Sequence, residues 1–576
     1  MLQFPPLELA FPDRQDWIFS RVLARRAETH GDRPFLGLLD GPSWTYAETN
    51  RRVNRLAHGL AALGVGRGDR VLVMLPNTIE VLLVWWAANR LGAIQVSVNS
   101  AYKGYFLEHV IDNSEARLIV IAGEFAERLG AIEHRLPHLE TVVLWPAGTV
   151  GPAFRRLHVL DFALVETLQE DPPDVGLSHR DVGAIMYTSG TTGPSKGVMM
   201  TNAQCHLMAE SGASLTRLAE DDCYFITTPL YHANAALVQV YPALLRGARA
   251  VIAKGFSASE WLAQARRSGA TVTNLLGVMM EFVFRQPPRA SDRDHRLRVV
   301  LGQPAPALIA EDFMRRFNVK VLEYYGMTEI GLVTLMPWDG FRPGSCGVAV
   351  SEFFELRIVD PATDEDVAPG QPGELIVRPQ EPWAFNQGYW RMPDRTAEAL
   401  RNVWYHTGDA LKQDDDGYYY FTDRIRDVIR RRAVNISSYD VERVVAEHPA
   451  VADCAAVAVP LEVAGGEDEI KLCLVLRGDD PFSPEEFLSW CEVRMPYFAV
   501  PRYLEILPEL PRTPTNKIQK HMLRRSGVTA ATWDRQAAGF QLQEEIRRAE
   551  LRAQRRAPER AGLRRTPLTR EESGPN

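Results

Sequence analysis

The run Tyr187-Thr188-Ser189-Gly190-Thr191-Thr192-Gly193-Pro194-Ser195-Lys196-Gly197-Val198 concentrates hydroxyls, glycines and one lysine. Glycines let a backbone approach an anion closely, hydroxyl and N–H groups donate hydrogen bonds to it, and Lys196 adds positive charge. Such a loop suits the holding of phosphates. Its composition would also suit a flexible linker. The flanks argue against a linker: Val182, Ala184 and Met186 alternate into the run, and Asn202 stands where it could cap a following helix. The Walker pattern is excluded, because it needs Gly-Lys-Ser/Thr and Lys196 lies between Ser195 and Gly197. Gly193 to Gly197 satisfies G-x-S-x-G, but no triad partners flank it. The run reads as a phosphate loop of another kind.

Further segments follow in order: Pro229-Leu230-Tyr231-His232-Ala233-Asn234-Ala235, Tyr324-Tyr325-Gly326-Met327-Thr328-Glu329, Tyr405-His406-Thr407-Gly408-Asp409, Asp423-Arg424-Ile425-Arg426-Asp427, and Leu510-Pro511-Arg512-Thr513-Pro514-Thr515-Asn516-Lys517-Ile518. Alone, each is an ordinary turn or loop end. Together and in this order, they resemble the adenylate-forming superfamily of acyl-CoA synthetases, peptide-synthetase adenylation domains and luciferases, over residues 15–525. The wording DVIRRRAVNISSYDVE and TPTNKIQKHML is similar to the carnitine/crotonobetaine-CoA ligase-like subgroup.

The resemblance implies a two-step reaction. A carboxylate attacks the α-phosphorus of ATP to give an acyl-adenylate and pyrophosphate, and CoA then takes the acyl group. Thr188, Ser189, Gly190, Thr191, Thr192 and Lys196 would hold the β- and γ-phosphates. Glu329, with Thr188, would bind Mg²⁺, a hard cation that takes oxygen ligands, and Thr328 would contact phosphate. Tyr325 offers a face to adenine, in a pocket lined by Gly302-Gln303-Pro304, Tyr324 and Gly326. Asp409 suits the ribose hydroxyls, and Arg424 is a donor near the ribose. Lys517 matches the lysine that bridges the carboxylate and α-phosphate, where a cation stabilises the charge developing in the transition state. Its neighbour Lys520 reads as solvated. His232 stands with the catalytic set either as an acid–base group or as a pocket wall, and the family's use of this segment to shape and gate the carboxylate site favours the wall. Met279, Met280, Phe282 and Tyr324 are candidates for the acyl pocket, with core packing a competing role for the two methionines. Tyr231, Phe282 and Tyr324 could cage a quaternary ammonium acid.

The chain departs from the family pattern at three positions. Ala433 and Asn516 stand where glycine is usual, and Arg426 stands at the hinge where aspartate or lysine is commoner. Asparagine tolerates a left-handed backbone, whereas alanine there costs about 1 kcal/mol and its methyl would crowd the pantetheine path. Transfer of the acyl group to a carrier-protein thiol or an amine is therefore an alternative to CoA. A degenerate, nucleotide-binding homologue is the non-enzymatic reading. Retention of Lys196, Glu329, Asp409, Arg424 and Lys517 argues against it.

The elements that must position these residues are α/β in kind. Thr45 and Glu48 form a capping box for a helix through Val53, Leu56, Leu60 and Leu63. Val71–Leu75 reads as a buried strand, Ile79–Leu91 as a helix and Ile94–Val98 as the next strand. Alternation recurs at Ala116–Ala122, Thr141–Leu144, Ala248–Ala253, Thr271–Leu275 and Arg298–Leu301, which predicts parallel sheet. After Asp423 the pattern turns to small α+β, with strands at Val451–Val459 and Lys471–Leu476 and a helix at Ser483–Arg494. The expected organisation is a large multi-sheet α/β N-terminal domain (1–423), a smaller mobile α+β domain (424–526, hinge near 426) and a charged, partly helical or disordered tail (527–576). The active site is expected in the cleft between the two domains.

Composition bounds the rest. The chain has 576 residues, of which 46% are hydrophobic, and a net charge of −8. Single cores stop growing near ~250–300 residues, so several domains are expected. The negative charge weighs against nucleic acid as a partner. Six cysteines without C-x-x-C spacing point to reduced thiols rather than disulfides or zinc. The start MLQFPPLELAFPDRQ lacks the basic and apolar regions of a signal peptide, and Val81–Ala88 falls short of the ~20 apolar residues that span a bilayer. The expectation is a cytoplasmic enzyme using ATP, Mg²⁺, CoA and a small carboxylic acid, without integral membrane association and with homodimerisation open.

Overall fold

The computed structural model describes residues 2–100, 102, 104–173, 175–188, 195–424, 428–431, 434–460, 468–478, 481–495, 499–513 and 516–543. The chain divides into two compact units, Met1–Phe421 and Thr422–Asn576. The expected helix–strand–helix–strand run opens the first unit. Thr45 accepts from Glu48 N while the Glu48 carboxylate accepts from Thr45 N, the reciprocal box that starts helix Tyr46–Ala62. Strand Arg70–Met74, helix Ile79–Arg90 and strand Ile94–Ser97 follow.

The first unit holds two large sheets and a smaller four-stranded one. One large sheet has seven strands, ordered His158–Asp161, Thr141–Trp145, Leu118–Ala122, Arg70–Met74, Ile94–Ser97, Val182–Thr188, Lys196–Thr201. All its pairs are parallel except the last, the hairpin that carries the phosphate loop. The other has nine strands, and its parallel centre brings Cys223–Ile226, Val272–Leu276, Val299–Gln303 and Lys320–Met327 side by side. Helices Ile79–Arg90 and Asn202–Thr216 touch strands of both large sheets. Both are buried almost all round, which explains the unbroken apolar run VLLVWWAA.

Two local readings change. Val182–Thr188 is buried continuously from Gly183 to Met186 rather than on alternate residues, because this sheet is covered on both faces. The cap of helix Asn202–Thr216 is Thr201, which accepts from Gln204 N. Asn202 takes the first helical position, where its side chain donates to Ser178 O and accepts from Asn89 Nδ2.

The second unit has a four-stranded sheet, ordered Val451–Pro460, Asp468–Leu476, Tyr503–Ile506, Trp533–Asp534, and a ribbon of Val428–Arg431 with Val434–Ser437. Helices Ser438–Ala446 and Pro484–Arg494 belong to this unit, whose core includes Val441, Phe487 and Leu488. The charged tail does not begin at Gly527. Trp533–Asp534 pairs with the edge strand, Asp534 takes both Arg502 nitrogens at 3.0 and 2.9 Å, and Leu542 is fully buried in the core. Composition conceals this, because the few apolar residues (Trp533, Phe540, Leu542) stand among polar and charged ones, of which Arg535 is itself buried. The Arg426 hinge and Ala433 lie outside the described residues. Among the described residues, no helix is long and apolar enough to cross a membrane.

Candidate active site

Thr188 ends its strand and Lys196 begins the next, paired across the hairpin. Ser189, Gly190, Thr191 and Thr192 lie outside the described residues. The hairpin is tied to residues 387–390 by main-chain bonds, Met199 N to Gly388 O and Trp390 N to Gly197 O. That attachment delivers Tyr389, which the sequence reading missed. Lys196 Nζ lies 4.3 Å from the centroid of the Tyr389 ring, a cation–π contact. The Tyr389 hydroxyl donates to Glu329 Oε1 at 3.2 Å and lies 2.9 Å from the Tyr405 hydroxyl. Thr188 Oγ1 is 3.4 Å from the same Glu329 oxygen. The structure thus brings Thr188, Lys196 and Glu329 together around a tyrosine.

Glu329 is held by its own backbone as well. Gln204, on the buried helix between the large sheets, donates to Thr328 O and Glu329 O at 2.9 and 3.1 Å, and Asn386 donates to Glu329 O at 2.6 Å. Burial pushes the Glu329 carboxyl up, against the opposing pull of its hydrogen bonds and of Lys196. A buried carboxylate with a hydroxyl oxygen beside it is a fitting donor set for a hard cation, which gains most where water is scarce.

On the next strand, consecutive tyrosines face opposite ways, as strand geometry requires. Tyr325 donates to Asp409 Oδ2 at 2.7 Å, and both are buried. Asp409 lies in strand Tyr405–Gln413, at an irregularity in its pairing where Gly408 has φ +69° and its N–H donates to Glu374 Oε1 at 2.9 Å. A side chain on Gly326 would bring its Cβ to 2.4 Å from Gly331 O, so glycine is required there. Gly302 leads into the Gln303–Pro304 turn, whose following Ala305 N–H donates to Glu323 Oε2 at 3.1 Å. Arg424 ends strand Tyr419–Arg424, and its side chain lies outside the described residues.

Burial pushes the Glu323 carboxyl up to about 8. Between the ordinary carboxylate range and that value, the folded chain keeps a proton that the unfolded chain has released. Stability is therefore lost as pH rises through this window. Glu323→Gln stays neutral, so its melting temperature should match the parent's near pH 5 and exceed it by several degrees at pH 8.5. Paired thermal melts across pH check this, and parallel curves would contradict it.

Tyr324 points away from Tyr325 into a cluster with Asn234 and Gln303. Asn234 Nδ2 donates to Gln303 Oε1 at 2.6 Å and to the Tyr324 hydroxyl at 2.8 Å, and that hydroxyl donates to Gln303 Oε1 at 2.7 Å. His232 is half-buried beside this segment, with its ring 4.6 Å from that of Tyr231. Met279 and Met280 pack in the second core, among residues such as Phe225 and Trp261, apart from the cluster that contains Tyr324. Phe282 is 44% exposed.

In the second unit, Lys517 is exposed on a turn closed by the Arg512–Ile518 bridge. Lys517 N donates to Thr513 Oγ1 at 3.1 Å, and Thr513 N donates to Lys517 O at 2.8 Å. Asn516 has φ +63°, the left-handed conformation its amide tolerates and glycine would adopt freely. Lys520 is not a solvated charge. It pairs with Glu442 at 3.0 Å and with Ser438, and is mostly buried.

The chain matches the family described as AMP-binding enzyme over residues 23–390 and the AMP-binding enzyme C-terminal domain over 440–517. It is 32% identical over 513 residues to a crotonobetaine/carnitine–CoA ligase of Salmonella paratyphi A (strain ATCC 9150 / SARB42), covering 86% of this chain and 97% of that one. The structure is similar to ATP-bound MatB from Rhodopseudomonas palustris (TM-score 0.78, 25% identity, 88% of this chain and 98% of that one). The anthranilate CoA ligase AuaEII in complex with anthranoyl-AMP shares the fold (TM-score 0.78, 23% identity, 91% of this chain and 98% of that one).

Proposed function

The chain belongs to the AMP-binding enzyme family, and from that premise we propose how its residues divide the work of an AMP-forming acid–CoA ligase. The overall reaction converts acid, ATP and CoA to acyl-CoA, AMP and pyrophosphate through an acyl-adenylate.

The gathering of Thr188, Lys196, Glu329 and Tyr389 carries the assignment of the phosphate end. In the first step a carboxylate oxygen attacks the α-phosphorus and the bond to pyrophosphate breaks. Two anions meet, so positioning and charge neutralisation supply most of the catalysis. Lys196 binds the β- and γ-phosphates, held over the Tyr389 ring until the nucleotide arrives. Glu329 and Thr188 are the residues to hold Mg²⁺, which when bound neutralises phosphate charge. Tyr325 and Asp409 take adenine and ribose on one side of the strand. His232 walls the carboxylate site on the other. Lys517 stabilises charge at the α-phosphate. In the second step the CoA sulfur attacks the acyl carbon, and AMP leaves with the bridging oxygen.

For the acid, the carnitine-type relatives make short polar acids the first to test. Pyrophosphate release should be followed with carnitine, crotonobetaine, benzoate and hexanoate, each with and without CoA. Acid-dependent release accompanied by thioester formation is expected. Adenylate that accumulates without ever forming a thioester would move the acyl acceptor to a carrier protein or an amine, and no release with any acid would overturn ligation.

A further inference from the structure

The direction of the hydrogen bonds around Gln303 has a consequence for the acid this site accepts. Gln303 ends its strand beside the parallel strand that carries Tyr324, and the register that pairs Leu276 with Gln303 and Leu301 with Leu322 puts Asn274, Gln303 and Tyr324 on one face. Tyr325, with its bond to Asp409, is on the other. The Gln303 side chain therefore belongs with the His232–Asn234 segment and not with the adenine and ribose residues.

Its amide orientation follows from its neighbours. Gln239 Nε2 donates to Thr228 Oγ1 at 2.7 Å and to Asn234 Oδ1 at 2.6 Å. That leaves Asn234 Nδ2 to donate onward, and Gln303 Oε1 receives both Asn234 Nδ2 and the Tyr324 hydroxyl. Reversing every amide in the chain would also be self-consistent at Asn234. It would, however, strand both hydrogens of a fully buried Gln239 amide nitrogen, where the observed direction leaves only Gln239 Oε1 without a partner. An unpaired buried N–H is the rarer and costlier defect, so the observed direction holds. With Oε1 accepting both bonds, the Nε2 hydrogens of half-buried Gln303 are the ones left to meet a ligand. On the same face lies the fully buried Asn274, whose side chain is beside the Tyr324 hydroxyl.

We propose that Gln303 is a specificity residue that donates a hydrogen bond to an acceptor oxygen on the acyl part of the substrate, so that the enzyme selects acids bearing a carbonyl or hydroxyl oxygen over hydrocarbon acids of the same shape. This rests on the acid–CoA ligase reading. Leaving a preorganised donor unpaired is what makes a polar site reject an apolar isostere.

The test uses size-matched acid pairs with the full-length enzyme and CoA: 3-hydroxybutyrate against 3-methylbutyrate, 4-oxopentanoate against 4-methylpentanoate, and 5-oxohexanoate against 5-methylhexanoate. At least one pair should favour the oxygen-bearing acid by about ten-fold or more in kcat/KM. Gln303→Leu should bring that ratio close to one while the hydrocarbon acid is still turned over. Gln303→Glu keeps the size and the inward oxygen that accepts both bonds but replaces the donor, and it should abolish the preference too. Melting temperatures identify a variant that has merely unfolded, in which case the other decides. Preference for the hydrocarbon member in every pair, or a ratio that survives both substitutions, overturns the proposal and leaves the ligase reading intact. No turnover of any acid by the parent enzyme overturns both.

Discussion

Lys517→Ala should lose adenylate formation by ~10²–10³-fold, the typical cost of removing one preorganised donor from a developing anionic charge. Its effect on the second half-reaction should be small. Supplied with preformed acyl-adenylate and CoA, the variant should make thioester at a rate close to the parent's, because the α-phosphate chemistry is already complete. The turn around Lys517 has backbone and Thr513 contacts that do not involve the lysine side chain and that Lys517→Ala therefore keeps. Lys520→Ala is the informative control. It breaks a mostly buried pair with Glu442 and should lower the melting temperature while sparing adenylation per folded molecule. Equal damage to both half-reactions in Lys517→Ala would show that this lysine does not belong to adenylation alone.

Glu329→Gln should cost adenylation a comparable ~10²–10³-fold. The substitution keeps the shape and still accepts from the Tyr389 hydroxyl, so what disappears is the charge. The Mg²⁺ concentration giving half the maximal rate should rise, and stabilisation of the fold by ATP with Mg²⁺ should shrink, a readout independent of turnover. Burial raises the Glu329 carboxyl, and the ionised form is the one that holds a cation. Proton and cation then compete for it, so the acid limb of the adenylation profile should move to lower pH as Mg²⁺ is raised, and this dependence should be absent in Glu329→Gln. Tyr389→Phe keeps the ring beneath Lys196 and loses the 3.2 Å donation to Glu329 and the 2.9 Å contact with the Tyr405 hydroxyl, so a loss of about ten-fold is expected, with Tyr389→Leu more severe. A parent-like rate and Mg²⁺ requirement in Glu329→Gln would remove the cation from this carboxylate.

The fold was legible where a local rule acts alone. The Thr45–Glu48 box and the strands at Leu118–Ala122 and Thr141–Trp145 follow from capping chemistry and short apolar runs. The sequence also led to Thr188, Lys196 and Glu329, because ordered motifs mark them. What it hid depends on direction and on distant pairing. Tyr389 reaches the site only because residues 387–390 bond to the hairpin strand some two hundred positions earlier. Tyr324 and Tyr325 read alike in sequence, yet alternation sends one to Asn234 and the other to Asp409. Phe282 fits an aromatic cage by type, but its helix turns it to solvent. Trp533, Phe540 and Leu542 were lost in a charged background, although three well-spaced apolar residues suffice to dock a segment on a sheet edge.

The most direct measurement follows the oxygens of the acid. Any acid that supports thioester formation is labelled with ¹⁸O in both carboxylate positions and converted to completion with unlabelled ATP and CoA in unlabelled water. If the carboxylate attacks the α-phosphorus and AMP later leaves with the bridging oxygen, each AMP carries one ¹⁸O, the acyl-CoA retains the other, and pyrophosphate carries none. Label in phosphate or pyrophosphate, or AMP without label, would contradict an acyl-adenylate route.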